Sequence, residues 1–113
     1  MSFIGSNLAV PHYHVMGPAK ASLEASSRYL ARELGPYNIR VNVVSSGAIK
    51  TLSSAGIKDF AELMRVGAEH SAMKRTVTQN EVAQTTLFLA SEASSGITGQ
   101  VIYVDCGYSI MAN

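Results

Sequence analysis

The sequence predicts an α/β fold, the closing C-terminal part of a doubly wound parallel sheet whose first half is missing. Three observations predict it. The elements read helix, strand, helix, helix, strand along the 113 residues. Strands separated by helices argue for parallel pairing rather than hairpins. Two strands are also too few for a parallel sheet, whose faces both need cover, so the pattern reads as the end of a fold that began elsewhere. The length suits one domain and not two, so residues 1–113 are taken as one part of a single domain.

The first helix is expected after Pro11, because Tyr13, Met16, Lys20, Leu23, Ser27, Leu30 and Leu34 recur at steps of three and four. Gly35-Pro36 should end it. Within it, Gly17-Pro18 should kink the first turns or delay the regular helix, since proline removes a donor. The β-branched run Ile39-Arg40-Val41-Asn42-Val43-Val44 is the first strand, broken by Ser45-Ser46-Gly47. Thr51 to Gly56 is small and polar and reads as a loop or a weakly held helix. A helix is expected from Ile57 to His70, with Ile57, Phe60, Leu63, Met64 and Gly67 along one side. Thr78 and Glu81 have capping-box spacing and open the next helix, on which Val82, Thr85, Thr86 and Leu89 recur. Gln100 to Asp105 is the last strand, ended by Cys106-Gly107.

Composition narrows the function classes. Apolar residues make up 47% and charged residues 15%, which are globular values. With 9 basic against 8 acidic residues, the net charge of +1 gives no footprint for a nucleic-acid backbone, so no nucleic-acid partner is expected. No run is long and apolar enough to span a membrane. The start of the chain lacks the features of a signal peptide, and the single Cys106 suits a reducing compartment, so a cytoplasmic location is expected. His12, His14 and His70 form no zinc-type spacing, and no metal is assigned.

Tyr13 and Lys20 are seven residues apart, which on a helix returns to nearly the same face two turns on. A nearby cation favours the phenolate and makes a phenol a better donor to a developing oxyanion. On spacing alone, an ordinary half-buried Tyr and a solvated Lys are the commoner case.

The surroundings change that balance. The stretch Ala9-Val10-Pro11-His12-Tyr13-His14-Val15-Met16-Gly17-Pro18-Ala19-Lys20-Ala21-Ser22-Leu23-Glu24-Ala25 resembles the active-site helix of enoyl-[acyl-carrier-protein] reductases, a branch of the short-chain dehydrogenase/reductase superfamily. Most of that superfamily places the Lys four after the Tyr, where this chain has Gly17. Six residues between Tyr and Lys mark the enoyl reductase branch. Arg40 to Thr51 resembles the strand and cofactor loop of that family, Ser53 to Phe60 its substrate loop, and Gly96 to Asp105 its closing turn and last strand. The resemblance runs the whole chain in order.

It implies a Rossmann-like fold and NADH-dependent reduction of a trans-2-enoyl thioester carried on acyl carrier protein, in fatty-acid biosynthesis. It also implies a homo-oligomer, a tetramer in the family. Tyr13 and Lys20 would be catalytic, Tyr13 stabilising the enolate and Lys20 binding the nicotinamide ribose. Gly47, Ile49 and Thr51 would join Lys20 in binding the cofactor, Ile49 through its backbone and Thr51 at the pyrophosphate. Phe3, Tyr13, Met16, Ile57 and Phe60 would meet the substrate, although apolar residues at helical spacing such as Ile57 and Phe60 also suit plain core packing. The loop from Thr51 to Phe60 would order around cofactor and acyl chain.

There are departures from the family pattern. Phe3 stands where many members carry a second active-site Tyr, Ala48 replaces a common Pro, Pro18 an ordinary helix former, and Cys106 a usual Gly. The Gly-rich turn that holds a pyrophosphate after a first strand does not occur in these 113 residues. A second reading is therefore a non-catalytic remnant acting at most as an association module.

Overall fold

The computed structural model describes residues 1–51, 54 and 59–112. Three helices, α1 (Met16–Leu34), α2 (Phe60–His70) and α3 (Gln79–Ala90), accompany two strands, β1 (Val43–Ser46) and β2 (Val101–Val104). The strands pair in parallel with Val43 opposite Val101 and Ser46 opposite Val104. The expected order and pairing are both present. On the other side of β1, Ser2 makes a single parallel bridge to Ser45, its amide donating to the Val44 carbonyl at 2.8 Å.

Alternation along the strands assigns two faces. Val44, Ile102 and Val104 share one, and α3 covers it: Val44, Val77, Val82 and Leu89 form the buried cluster, with Ile49, Ile97, Ile102, Val104 and Cys106 against it. Val43, Ser45, Val101 and Tyr103 share the other. There Ala31 of α1 comes within 3.5 Å of where a Cβ on Gly99 would lie.

The first helix starts at Met16, so the expected delay occurs. Pro18 falls in the first turn, where a helical amide has no intrahelical partner to lose. The expected apolar stripe needs correction. Met16 and Leu30 are 49% and 46% exposed, and the buried face is Gly17, Glu24, Ser27 and Ala31. A small residue is required at Gly17 because the Ile4–Ser6 turn packs close there: a Cβ on Gly17 would stand 2.7 Å from the Gly5 carbonyl oxygen. At the far end Gly35 stays right-handed, and the left-handed residue that stops the chain is Asn38, φ 58°.

The first strand also shifts. It begins at Val43 rather than Ile39 and takes in Ser45 and Ser46. Residues 40–42 are held instead by the 97–100 turn. The Asn42 amide donates to the Ile97 carbonyl and its Oδ1 accepts from Gln100 N. Arg40 donates to the carbonyls of Leu89 at 2.6 Å, Ser91 at 3.3 Å and Ile97 at 3.2 Å, satisfying the open end of α3. Ladder bonds then carry the serines as strand despite their modest propensity.

The Thr78 capping box is complete, with Thr78 Oγ1 accepting from Glu81 N and Glu81 Oε2 from Thr78 N. Arg75 adds two bonds to the same carboxylate, at 2.9 and 2.6 Å. Arg75, then the Thr78 amide and hydroxyl, hold the Glu81 carboxyl down from 4.5 to about 2.

Two outcomes follow. Arg40→Ala should cost about 1.5–3 kcal/mol in urea unfolding, because a charged donor to three carbonyls is removed. Since Glu81 is depressed in the fold, its contribution is full above pH 4.5, fades as pH falls and is gone below about 2. Half-exposure keeps it small. An acid titration of helicity should show that window in the parent chain and lose it in Glu81→Gln.

Candidate active site

All three parallel segments release the chain at one end of the sheet. Phe3 follows Ser2, Gly47 follows β1 and Asp105 follows β2. A cavity of about 310 Å³ opens there. Phe3 and Tyr13 line it, with Gly47, Ala48, Ile49 and Thr51 from the loop after β1, Phe60 and Leu63 from α2, and Asp105 and Tyr108 beyond β2.

Tyr13 sits just before α1, on a tight turn. Its amide donates to the Val10 carbonyl at 3.1 Å, and the Gly17 amide donates to its carbonyl at 2.8 Å. The chain reverses at His12, a non-glycine residue with φ 67°. Such a conformation persists where its surroundings hold it. The Tyr13 ring meets the Phe3 ring with centroids 5.4 Å apart and planes at 51°, a tilted aromatic pair.

Of the residues singled out in the sequence, Phe3, Tyr13, Gly47, Ile49, Thr51 and Phe60 come together around the cavity. Met16 is on the exposed side of α1 and does not line it. Lys20 does not line it either; its Nζ donates to the Met1 carbonyl at 3.1 Å. Contrary to expectation, Tyr13 and Lys20 do not share one helix: Tyr13 precedes α1, and the Gly17 amide donates to its carbonyl. Ile57, and most of the loop from Thr51 to Phe60, lie outside the described residues. Thr51 itself is tied to Ser54, its amide donating to Ser54 Oγ at 2.7 Å and its Oγ1 accepting from Ser54 N.

Other residues at or beside the cavity are not among the site residues expected from the sequence. Ser45 is 1% exposed and its Oγ has no hydrogen-bond partner among the described residues. Asp105 accepts from the amides of Gly107 and Ser109 and so shapes the turn beyond β2. An Asp ahead of a Cys-Gly turn was the available cue for it. Cys106 has φ 56° and packs against the core cluster. That backbone explains why glycine is usual at its position. Burial pushes its thiol up while the Arg75 guanidinium pulls less strongly the other way, as suits a packed side chain rather than a nucleophile.

Comparison with known proteins agrees with this geometry. A family model described as Enoyl-(Acyl carrier protein) reductase matches residues 1–109. This chain belongs to the enoyl-[acyl-carrier-protein] reductase family. The NADH enzyme FabI of Nostoc sp. is 54% identical over 111 residues, and that of Rickettsia typhi 45% over 113. These matches cover 98% and 100% of this chain but 43% of each relative, so the chain spans less than half the length of the reductases it matches. The crystal structure of the Bacillus cereus enoyl-acyl carrier protein reductase with NADP+ and indole naphthyridinone superposes with TM-score 0.95 at 47% identity. It covers 99% of this chain and 44% of its own. The Aquifex aeolicus NADH reductase gives 0.94 at 40%. The fold is thus the C-terminal part of a Rossmann-like reductase. Among the described residues no His, Cys, Asp and Glu cluster gathers to hold a metal, and no helix is long and apolar enough to cross a membrane.

Close packing at Gly17 sets one expectation for this site. Alanine there gains up to about 1 kcal/mol of helix propensity but meets the Gly5 carbonyl oxygen at 2.7 Å. Overpacking costs about 1–3 kcal/mol, so the clash should win. Gly17→Ala should lower the thermal midpoint and shift the ring resonances of Phe3 and Tyr13.

Proposed function

We propose that the chain supplies the catalytic and acyl-binding part of an NADH-dependent reductase of trans-2-enoyl thioesters on acyl carrier protein, in fatty-acid biosynthesis. The carrying observation is the convergence of Tyr13, Phe3, Phe60 and the Gly47–Thr51 loop on one cavity at the strand ends, where doubly wound sheets hold ligands.

The residues present fit the nicotinamide end of a dinucleotide. A Cβ on Gly47 would stand 3.2 Å from the Asp105 Cα, so the loop is pressed onto the sheet end while its residues line the cavity. The unpartnered Ser45 hydroxyl gives the same wall a spare polar group. Gly47, Ile49 and Thr51 would hold the nicotinamide half, and Lys20 the ribose. Among the described residues, the Met1 carbonyl occupies one of the three ammonium donors of Lys20 and leaves two. NADH, when bound, would supply the hydride for the β-carbon of the substrate. Tyr13 donates a hydrogen bond to the thioester oxygen as that oxygen gains enolate charge. Phe3 packs on the Tyr13 ring and carries no hydroxyl, so of these two rings Tyr13 is the one that can serve this oxygen. Phe60, with Leu63, offers an apolar wall for the acyl chain, and Met16, Ile57 and Phe3 complete the substrate residues the resemblance assigns.

A homo-oligomer suits the exposure of Val15, Tyr29, Leu30 and Tyr37, which lie on and beside α1, and a cytoplasmic location suits the single Cys106.

The test joins this chain to the first half of a relative's sequence. Tyr13→Phe should reduce turnover more than NADH binding, and Lys20→Ala should weaken NADH binding as well. Unchanged kinetics in both variants refute the assignment. The 113-residue polypeptide by itself should give no turnover, because the groups that hold the rest of a dinucleotide are not among its residues. Enoyl-thioester reduction by the unjoined chain would overturn that expectation.

A further inference from the structure

Glu24 is a carboxylate in the wrong place for an ordinary helix surface. It is only 6% exposed, on the face of α1 that packs inward. Burying a carboxylate is costly unless a partner repays it. The partner is the Ser2 hydroxyl, which donates to Glu24 Oε1 at 2.5 Å. One turn earlier on the same face, Lys20 donates to the Met1 carbonyl. A further turn back, Gly17 lies under the Gly5 carbonyl. Three successive positions of one helix face therefore grip residues 1–5.

The grip holds the side of that segment that faces α1. Its sheet pairing is a single bridge, Ser2 to Ser45, with the Ser46 amide donating back to the Ser2 carbonyl at 3.3 Å. Two backbone bonds set the height of Ser2 beside β1, and beyond Phe3 the Ile4–Ser6 turn packs against α1. The Ser2 side chain is tied to α1 through Glu24. Phe3 comes next, extended at φ −153° and ψ 167°, and its ring rests on Tyr13.

We propose that Glu24 is a positioning residue: through the Ser2 hydroxyl it sets the Phe3 ring against Tyr13 and so orients the phenol in the cavity. The consequence for turnover rests on the catalytic reading of Tyr13, but the geometry is testable without it. Glutamine keeps an acceptor at the same place, whereas alanine removes it. A charge-independent hydrogen bond therefore survives Glu24→Gln and is lost in Glu24→Ala, and equally in Ser2→Ala.

The experiment is NMR on the 113-residue chain with labelled Phe and Tyr rings. The parent and Glu24→Gln should show a nuclear Overhauser contact between Phe3 and Tyr13. Glu24→Ala and Ser2→Ala should each lose it, with a shifted Tyr13 ring resonance, while the methyl resonances of Val44, Val82 and Leu89 stay in place. The double variant should add nothing to either single alanine change. Persistence of the contact in either alanine variant, or its loss in Glu24→Gln, overturns the proposal. If Glu24→Ala disturbs the core methyls, Ser2→Ala, which leaves α1 unaltered, decides in its place. Failure of Tyr13→Phe to affect turnover would sink the catalytic reading and leave this result standing.

Discussion

Parallel pairing of β1 with β2 is the constraint on which the rest of the structure depends. Because the strands run the same way, the chain leaves both at one end, and the Ser2 bridge brings a third segment out beside them. The loop after β1, the turn after β2 and Phe3 are thereby neighbours, although the sequence places them far apart. A shift of one residue in this register would exchange the two faces. It would turn Val44 away from Val82 and Leu89 and carry Ser45 out of the cavity wall. The register is held at its start by the Asn42 side chain, which bonds both Ile97 and Gln100, and at its end by the Gly47 amide on the Val104 carbonyl.

The two faces of this small sheet are covered in different ways. On the α3 side the cover is aliphatic and continuous. On the α1 side it is made of small and polar residues, Gly17, Glu24, Ser27 and Ala31, which let backbone come close. Close approach under a polar face demands specific hydrogen bonds, since an unpaired buried group is costly. That is why Ser2, Lys20 and Glu24 act as a set. The aliphatic face needs only shape and volume.

Much of this could be read along the chain. The alternation of helices and strands, the capping box at Thr78, the delay imposed by Pro18 and the grouping of Phe3, Tyr13, Gly47, Ile49, Thr51 and Phe60 all rest on local patterns or on motif order. The errors are equally physical. Large apolar residues predict the α1 stripe, yet Met16 and Leu30 are exposed, because the neighbouring turn lies too close at Gly17 for bulk. The β-branched run predicts a strand from Ile39, yet ladder bonds begin only where β2 provides partners.

By itself, then, the sequence determined the elements, their parallel order, the family and the residue types available for chemistry, since each depends on spacing and composition within a short stretch. Only the tertiary structure decided which face of α1 is buried, where β1 starts, that Lys20 reaches the Met1 carbonyl, and that Glu24 is buried against Ser2. Those outcomes depend on contacts between residues distant in the chain, where close packing and hydrogen-bond satisfaction override local preference.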